Sequence, residues 1–243
     1  MENWNAEGFI LLARPHGESA MVVQAFTREH GRHAGLVQGG QSRRIFPSLE
    51  IGNQASFIWS ARLADNLGYY KVELVQARAV LCLNDPLRLN ALQAFCGLLV
   101  ILSAEREPMP DVYDAGVAWL DMLQGSHWLA TLVRFELGLL AALGYGLDLN
   151  ACAATGQKKD LIYVSPKSGR AVNADAGAPY KERLLQLPAF LRDSSQDAKP
   201  EDCIKGLKLT GYFLEKYLFA TMNRPLPDTR RLLSNKISLL GKS

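Results

Sequence analysis

The sequence predicts an α+β fold, with a small five-stranded β-barrel at the N-terminus and an α-helical domain after it that carries an inserted hairpin. Three observations predict it. The first eighty residues alternate apolar and polar in short runs punctuated by glycine turns. From Asp85-Pro86 onward the apolar period lengthens to that of helices. Within the helical part, LIYVSPKSGRAV returns to a two-strand pattern. One domain is therefore expected at residues 1–80 and a second at 81–243, with the hairpin segment at 150–180.

The strands are expected at residues 8–14, 19–27, 32–38, 55–63 and 69–77. The first ends at Arg14-Pro15, because proline disfavours helix in the residue before it. Gly31, Gly39-Gly40 and the turn at 66–68 supply the breaks. Five short strands close most economically as an OB-type barrel, since closure removes exposed sheet edges. An SH3-like barrel is the alternative. Asp85 is placed to cap a helix with Pro86 in its first position, where the missing N–H costs little. That helix is expected over 87–106, broken by Pro108 and Pro110. Further helices are expected at 111–123, from a Ser126 cap to about 143, from Pro200 through 221, and over 228–240. The polar stretch 192–199 reads as a flexible loop.

Charge is distributed unevenly along a chain of net charge +3. Residues 1–78 carry eight Lys/Arg against seven Asp/Glu, residues 79–157 three against eight, and residues 158–243 sixteen against nine. Between 14 and 44 there are Arg14, Arg28, Arg32, Arg43 and Arg44 with three histidines, against only Glu18 and Glu29. Such a local excess suits a polyanion partner. Aromatic residues Phe57, Trp59, Tyr69 and Tyr70 lie on adjacent strands beside Arg62 and Lys71. Bases stack on aromatic faces while cations follow phosphates, so both parts of a single-strand groove are present. Strand alternation sends Tyr69 and Tyr70 to opposite faces. The candidate nucleic-acid-binding set is Arg14, Arg28, Arg32, Arg43, Arg44, Arg62, Tyr70 and Lys71. The Gly39-Gly40-Gln41-Ser42-Arg43-Arg44 loop is expected to offer backbone N–H groups and two guanidiniums to a phosphate.

Catalytic motifs do not emerge. There is no phosphate-binding Walker loop, no nucleophile elbow and no His-Glu-x-x-His helix, and the acidic spots Glu105/Glu107/Asp111 and Glu201/Asp202 suit helix ends. No enzyme and no cofactor are expected. The four cysteines, Cys82, Cys96, Cys152 and Cys203, are widely spaced and read as reduced thiols. The segment MENWNAEGF lacks a secretory pattern, and no apolar run reaches the roughly 20 residues a bilayer needs. A cytoplasmic protein without membrane contact is expected.

The stretch 134–180 is the most distinctive. RFELGLLAALGYGLDL runs into Cys-Ala-Ala-Thr-Gly at 152–156, then into the hairpin and AGAPY. The layout is that of a zinc hairpin, but a structural zinc needs about four Cys or His ligands and Cys152 stands alone. The hairpin is therefore expected to be held by Leu161, Tyr163, Val172 and Tyr180 packing on neighbouring helices.

Together with ARPHGESAMVVQAFTREHGRHAGLVQGGQSRR in the barrel and LPAFL after the hairpin, this order resembles the RecO family of bacterial recombination mediators. The resemblance spans essentially the whole chain. It implies an N-terminal OB fold, a helical C-terminal domain and, in some members, a four-cysteine zinc hairpin. Here Cys152 and Gly156 are kept and the remaining ligands are missing, so zinc is not carried over. Gln38 also stands where a basic residue often precedes the glycine. The resemblance further implies binding of single- and double-stranded DNA, annealing of complementary strands, and association with RecR. It also implies a functional link to RecA and docking of the acidic, Phe-terminated tail of single-stranded DNA-binding protein. Arg134 fits the cationic role toward that tail, or else pairs with Asp148 or Glu136. An RNA-binding or protein-only adaptor is the main alternative, and a metal-dependent nuclease the second.

Overall fold

The computed structural model describes residues 2–193 and 198–240, so half of the loop expected at 192–199, residues 194–197, lies outside the described residues. The chain divides by compactness into two units, one of Met1–Leu120 with Pro227–Leu233, the other of Asp121–Leu226 with Ser234–Ser243.

The first unit is built on five strands, β1 (Glu2–His16), β2 (Ala20–Thr27), β3 (Gly31–Val37), β4 (Gln54–Ala61) and β5 (Tyr69–Gln76). Their hydrogen-bonded order is β1-β2-β3-β5-β4, and β4 returns to β1 to close the barrel. All neighbours are antiparallel except β3 and β5, which meet in parallel at Leu36 and Tyr69. β1 begins six residues before the expected start. Its polar opening, Glu2–Glu7 in sequence, is recruited by pairing with β4 from Ala61 to Ser56, so a long-range ladder overrides the local pattern.

Inside the barrel, Ile10, Met21, Val23, Ala25, Val37, Phe57, Trp59 and Tyr70 form one cluster. A bulge between Ile10 and Leu12 lets β1 serve two cores. Phe9 faces out of the barrel, stacked on Tyr113 at 5.7 Å and near Phe95 at 5.6 Å. Full burial of such a phenylalanine stabilises by roughly 1.5–3 kcal/mol, which makes Phe9 the link between the barrel and the helices of this unit. Those helices are the short α1 (Arg78–Leu81), α2 (Pro86–Leu102) and most of α3 (Pro110–Met122). Asp85 caps α2 as expected, its side chain accepting from the Leu87 and Arg88 N–H groups. The helix stops at Leu102 rather than near 106, because Ser103 turns into extended backbone.

In the second unit, α4 (Trp128–Ala142) starts without a side-chain cap, so Ser126 does not fill the role expected of it. Gly144, at φ +86°, takes the left-handed conformation just past its end. The hairpin strands β6 (Leu161–Val164) and β7 (Ala171–Asn173) follow, then α5 (Ala174–Gly177). A third strand, β8 (Leu185–Gln186), joins the other side of β6, giving the order β7-β6-β8. Leu161 and Val172 are buried, but Tyr180 is 59% exposed and does not hold the hairpin. α6 (Pro200–Phe213) runs into a wider π-type turn at Leu214–Phe219. Gly206 lets α6 approach α4, since a Cβ there would lie 2.8 Å from Val133 Cγ1. Thr210 donates its hydroxyl to the buried Glu136 carboxylate between the same two helices. The last helix, α7 (Asp228–Leu240), begins in the first unit's segment Pro227–Leu233. No described helix is long and apolar enough to cross a membrane.

Candidate nucleic-acid interface

Beyond β3 the chain enters the glycine loop at the left-handed Gly39, φ +65°. Gly40 is buried where a Cβ would fall 2.7 Å from Met21 Cγ, so a side chain is excluded there. The anchor of this loop is Gln41. Its amide donates to the carbonyls of Gly17 and Ala20 at 3.1 and 2.9 Å, and its N–H to Ser19 O at 3.0 Å. The loop is thereby fastened to the β1–β2 turn, close in sequence to Arg14. Three of the expected backbone donors are already used. The N–H groups of Gly40, Gln41 and Ser42 already bond to Val37 O, Ser19 O and Gly39 O. What the loop offers instead is the exposed pair Arg43 and Arg44.

The eight predicted residues separate into three kinds. Arg14, Arg43, Arg44, Arg62 and Lys71 are exposed, and among the described residues none of them has an ion pair or side-chain hydrogen bond. Arg28 and Arg32 are engaged. Arg28 forms a bidentate pair with Asp114, at 2.9 Å from Nε and 3.0 Å from Nη2. That hydrogen bond, with the attraction between the charges, holds the Asp114 carboxyl below the usual range and raises Arg28. Asp111 and Glu29 also lie close enough to favour the charged Arg28. Arg32 donates to Ser103 O at 3.0 Å and to Gln24 at 3.3 Å. Arg28 therefore sits among acids, while Arg32, on β3, is tied to a carbonyl and an amide.

Tyr70 is a correction. It is 3% exposed, inside the barrel, with its hydroxyl donating to His33 O at 3.2 Å and lying 3.3 Å from His33 Nδ1. Burial pushes its phenol well above the ordinary range and leaves no face for a base. Phe57 and Trp59 point inward as well. The outward residue is Tyr69, 53% exposed, on the same face of β5 as Lys71 by the two-residue repeat. His33, within the strand expected at 32–38, is buried, and its imidazole is lowered to about 4 chiefly by burial and also by the nearby Arg106 cation. Trp4 and His30, which the strand reading passed over, stack at 4.1 Å beside it.

The hairpin's polar centre is Cys152, fully buried, whose sulfur accepts from the Asn173 N–H at 3.4 Å. The Asn173 amide reaches Gln157 Oε1 at 3.1 Å and caps α5 through the Ala176 N–H at 3.0 Å. Burial raises the Cys152 thiol. The Thr155 hydroxyl and the N–H groups of Asn173, Ala154 and Thr155 more than offset this, leaving it at about 7. One sulfur surrounded by hydroxyl and amide groups does not fit zinc, which takes four Cys or His ligands in such modules. Among the described residues no three His, Cys, Asp or Glu side chains converge.

Arg134 is exposed on α4, donating to Phe190 O at 2.9 Å with its guanidinium carbon 5.4 Å from the Phe190 ring centre. Neither acid weighed as its partner pairs with it, since Asp148 bonds to Arg170 and Glu136 to Thr210. The guanidinium thus lies over a buried ring, with one N–H already given to a backbone carbonyl.

A barrel surface that presents five unpaired cations can bind a polyanion without a reacting group. The chain belongs to the recombination protein O family. Residues 1–78 match the family model described as Recombination protein O N terminal, and residues 83–224 the one described as Recombination protein O C terminal. A DNA repair protein RecO of Rhodospirillum centenum is 48% identical over 93% of this chain and 91% of that protein. Those of Methylocella silvestris and Rhodospirillum rubrum are 44% and 46% identical, over 94% and 95% of this chain and 93% and 94% of their own lengths. The family gives the chain a role in DNA repair and recombination.

Proposed function

We propose that this protein is a non-enzymatic cytoplasmic recombination mediator that binds single- and double-stranded DNA and anneals complementary strands. With RecR it helps RecA replace single-stranded DNA-binding protein. The observation that carries the reading is the set Arg14, Arg43, Arg44, Arg62 and Lys71, exposed on the barrel and unpaired among the described residues. The strand order, closed through one parallel contact between β3 and β5, supports assigning the barrel to the OB fold. Residues 1–80 then form the nucleic-acid-binding domain and 81–243 the helical one.

Annealing on such a surface works by neutralisation. Two phosphate backbones repel each other, and a row of cations releases their counterions so that base pairing becomes favourable. The exposed Arg134 supports a place for the acidic tail of single-stranded DNA-binding protein, the guanidinium taking its carboxylate.

The test is strand annealing without nucleotide, starting from oligonucleotides coated with single-stranded DNA-binding protein. The expected result is annealing that Arg134→Ala abolishes on coated strands and leaves intact on naked ones. No annealing of naked strands, or equal affinity for RNA and DNA of one length, would favour an adaptor of another kind.

A further inference from the structure

The β4–β5 loop is held more firmly than a surface loop requires. Arg106, itself at φ +63°, donates to the carbonyls of Ala64 and Asn66. Trp59 Nε1 donates to Leu67 O at 3.0 Å, and the Leu36 N–H to Gly68 O at 3.0 Å. Gly68 sits at φ +67°, where a Cβ would fall 2.4 Å from Trp59 Nε1, so the turn closes directly on the indole. Yet this pinned loop leaves its apolar side chains in solvent, with Leu63 63%, Leu67 41% and Tyr69 53% exposed. Apolar groups held out on an ordered loop mark a surface that receives a partner.

A cavity of about 280 Å³ opens between Leu36, Leu67 and Tyr69, rimmed by Arg62 and Asn66. Lys71 lies one pleat beyond Tyr69 on the same face, and Ile58, its cross-strand neighbour on β4, is exposed beside it. The lining combines an aromatic ring, aliphatic side chains, an amide and the Arg62 cation, with Lys71 next along the same face of β5. It suits a planar base joined to phosphates.

We infer that the cavity at the β4–β5 loop is a nucleobase pocket, in which one unpaired base of a single strand stacks on Tyr69 while Arg62 and Lys71 take the flanking phosphates. The inference rests on the DNA-binding reading and deepens it by separating the two kinds of strand. A duplex keeps its bases stacked and cannot fill the pocket, so the pocket gives a preference for single strands that the loop cations alone do not give.

The test compares a thymidine oligonucleotide, an abasic oligomer of equal length and a duplex by fluorescence anisotropy. Tyr69→Ala is expected to weaken binding of the thymidine strand by about 5- to 150-fold, with abasic and duplex affinities unchanged and Tyr69→Phe restoring the loss. Arg62→Ala is expected to weaken thymidine and abasic strands alike. Wild-type protein that binds strands strongly but gives thymidine and abasic oligomers equal affinity overturns the pocket and leaves the DNA-binding reading standing. No binding of any strand removes both. If Tyr69→Ala keeps full DNA affinity but loses RecR in a pull-down, the cavity is a protein-docking site and the base assignment is wrong.

Discussion

Replacing Arg43 and Arg44 together by alanine separates electrostatic binding by the loop from any other mode. Each cation that neutralises a phosphate on a single strand contributes about −0.7 to the slope of log K against log salt. Five unpaired cations, Arg14, Arg43, Arg44, Arg62 and Lys71, are available on the barrel. Full engagement of all five gives a slope near −3.5, so raising salt from about 50 to 200 mM weakens binding roughly 130-fold. The double variant retains three of them, for a slope near −2.1 and a loss of about 20-fold over the same range. Because Gln41, not either arginine, ties the loop to the β1–β2 turn, the fold is expected to survive the substitution. Anisotropy titrations of a fluorescent oligonucleotide at four or more salt concentrations read both slopes. Arg28→Ala is the control, since its guanidinium is already committed to Asp114. An unchanged slope in the double variant, or a larger change in the Arg28 variant, would refute the assignment of phosphates to this loop.

Three further outcomes follow from the hairpin and the buried polar groups. Asn173→Ala removes the cap of α5 and the amide contact to Gln157, and should lower stability by about 1–3 kcal/mol in urea denaturation. Addition of EDTA should leave the wild-type curve where it is, and a chelator-induced drop would show a metal in the hairpin after all. His33, lowered to about 4 in the barrel against an ordinary 6.5, binds its proton less readily folded than unfolded. Its contribution is therefore complete above pH 6.5 and is lost as pH falls toward 4, with a slope of at most about 1.4 kcal/mol per pH unit. A His33→Gln variant should flatten that part of the stability profile, and an identical profile would place the acid sensitivity elsewhere.

The strands and helices were legible wherever local chemistry decided them. Asp85-Pro86 marks the start of α2 because cap and first-turn proline act within four residues. Alternation located β4 and β5, but not which of Tyr69 and Tyr70 points inward. That choice depends on the register with β4, which sets Tyr70 against Trp59, and on the space left by Gly35, where a Cβ would lie 2.5 Å from the Tyr70 ring. A usable signal existed in β3, where His33, Gly35 and Val37 share one face, so a histidine in line with a core valine reads as buried. Arg28 could not be read this way, since its partner is 86 residues distant and nothing in the local pattern of either announces the pair. The same holds for the zinc-like hairpin. Loss of the ligands shows in the sequence, while the network of Asn173, Gln157 and Thr155 around Cys152 becomes apparent only once the chain is folded.

On the proposed function, DNA lies across the Gln41-anchored loop and the outer face of β5, away from the Arg28–Asp114 pair. Hydrogen–deuterium exchange with and without a single-stranded oligonucleotide tests it most directly. Exchange is expected to slow in residues 41–46 and 66–72 and to stay unchanged in residues 28–32 and 111–116. Protection centred on 28–32, with the loop and β5 unchanged, would contradict it.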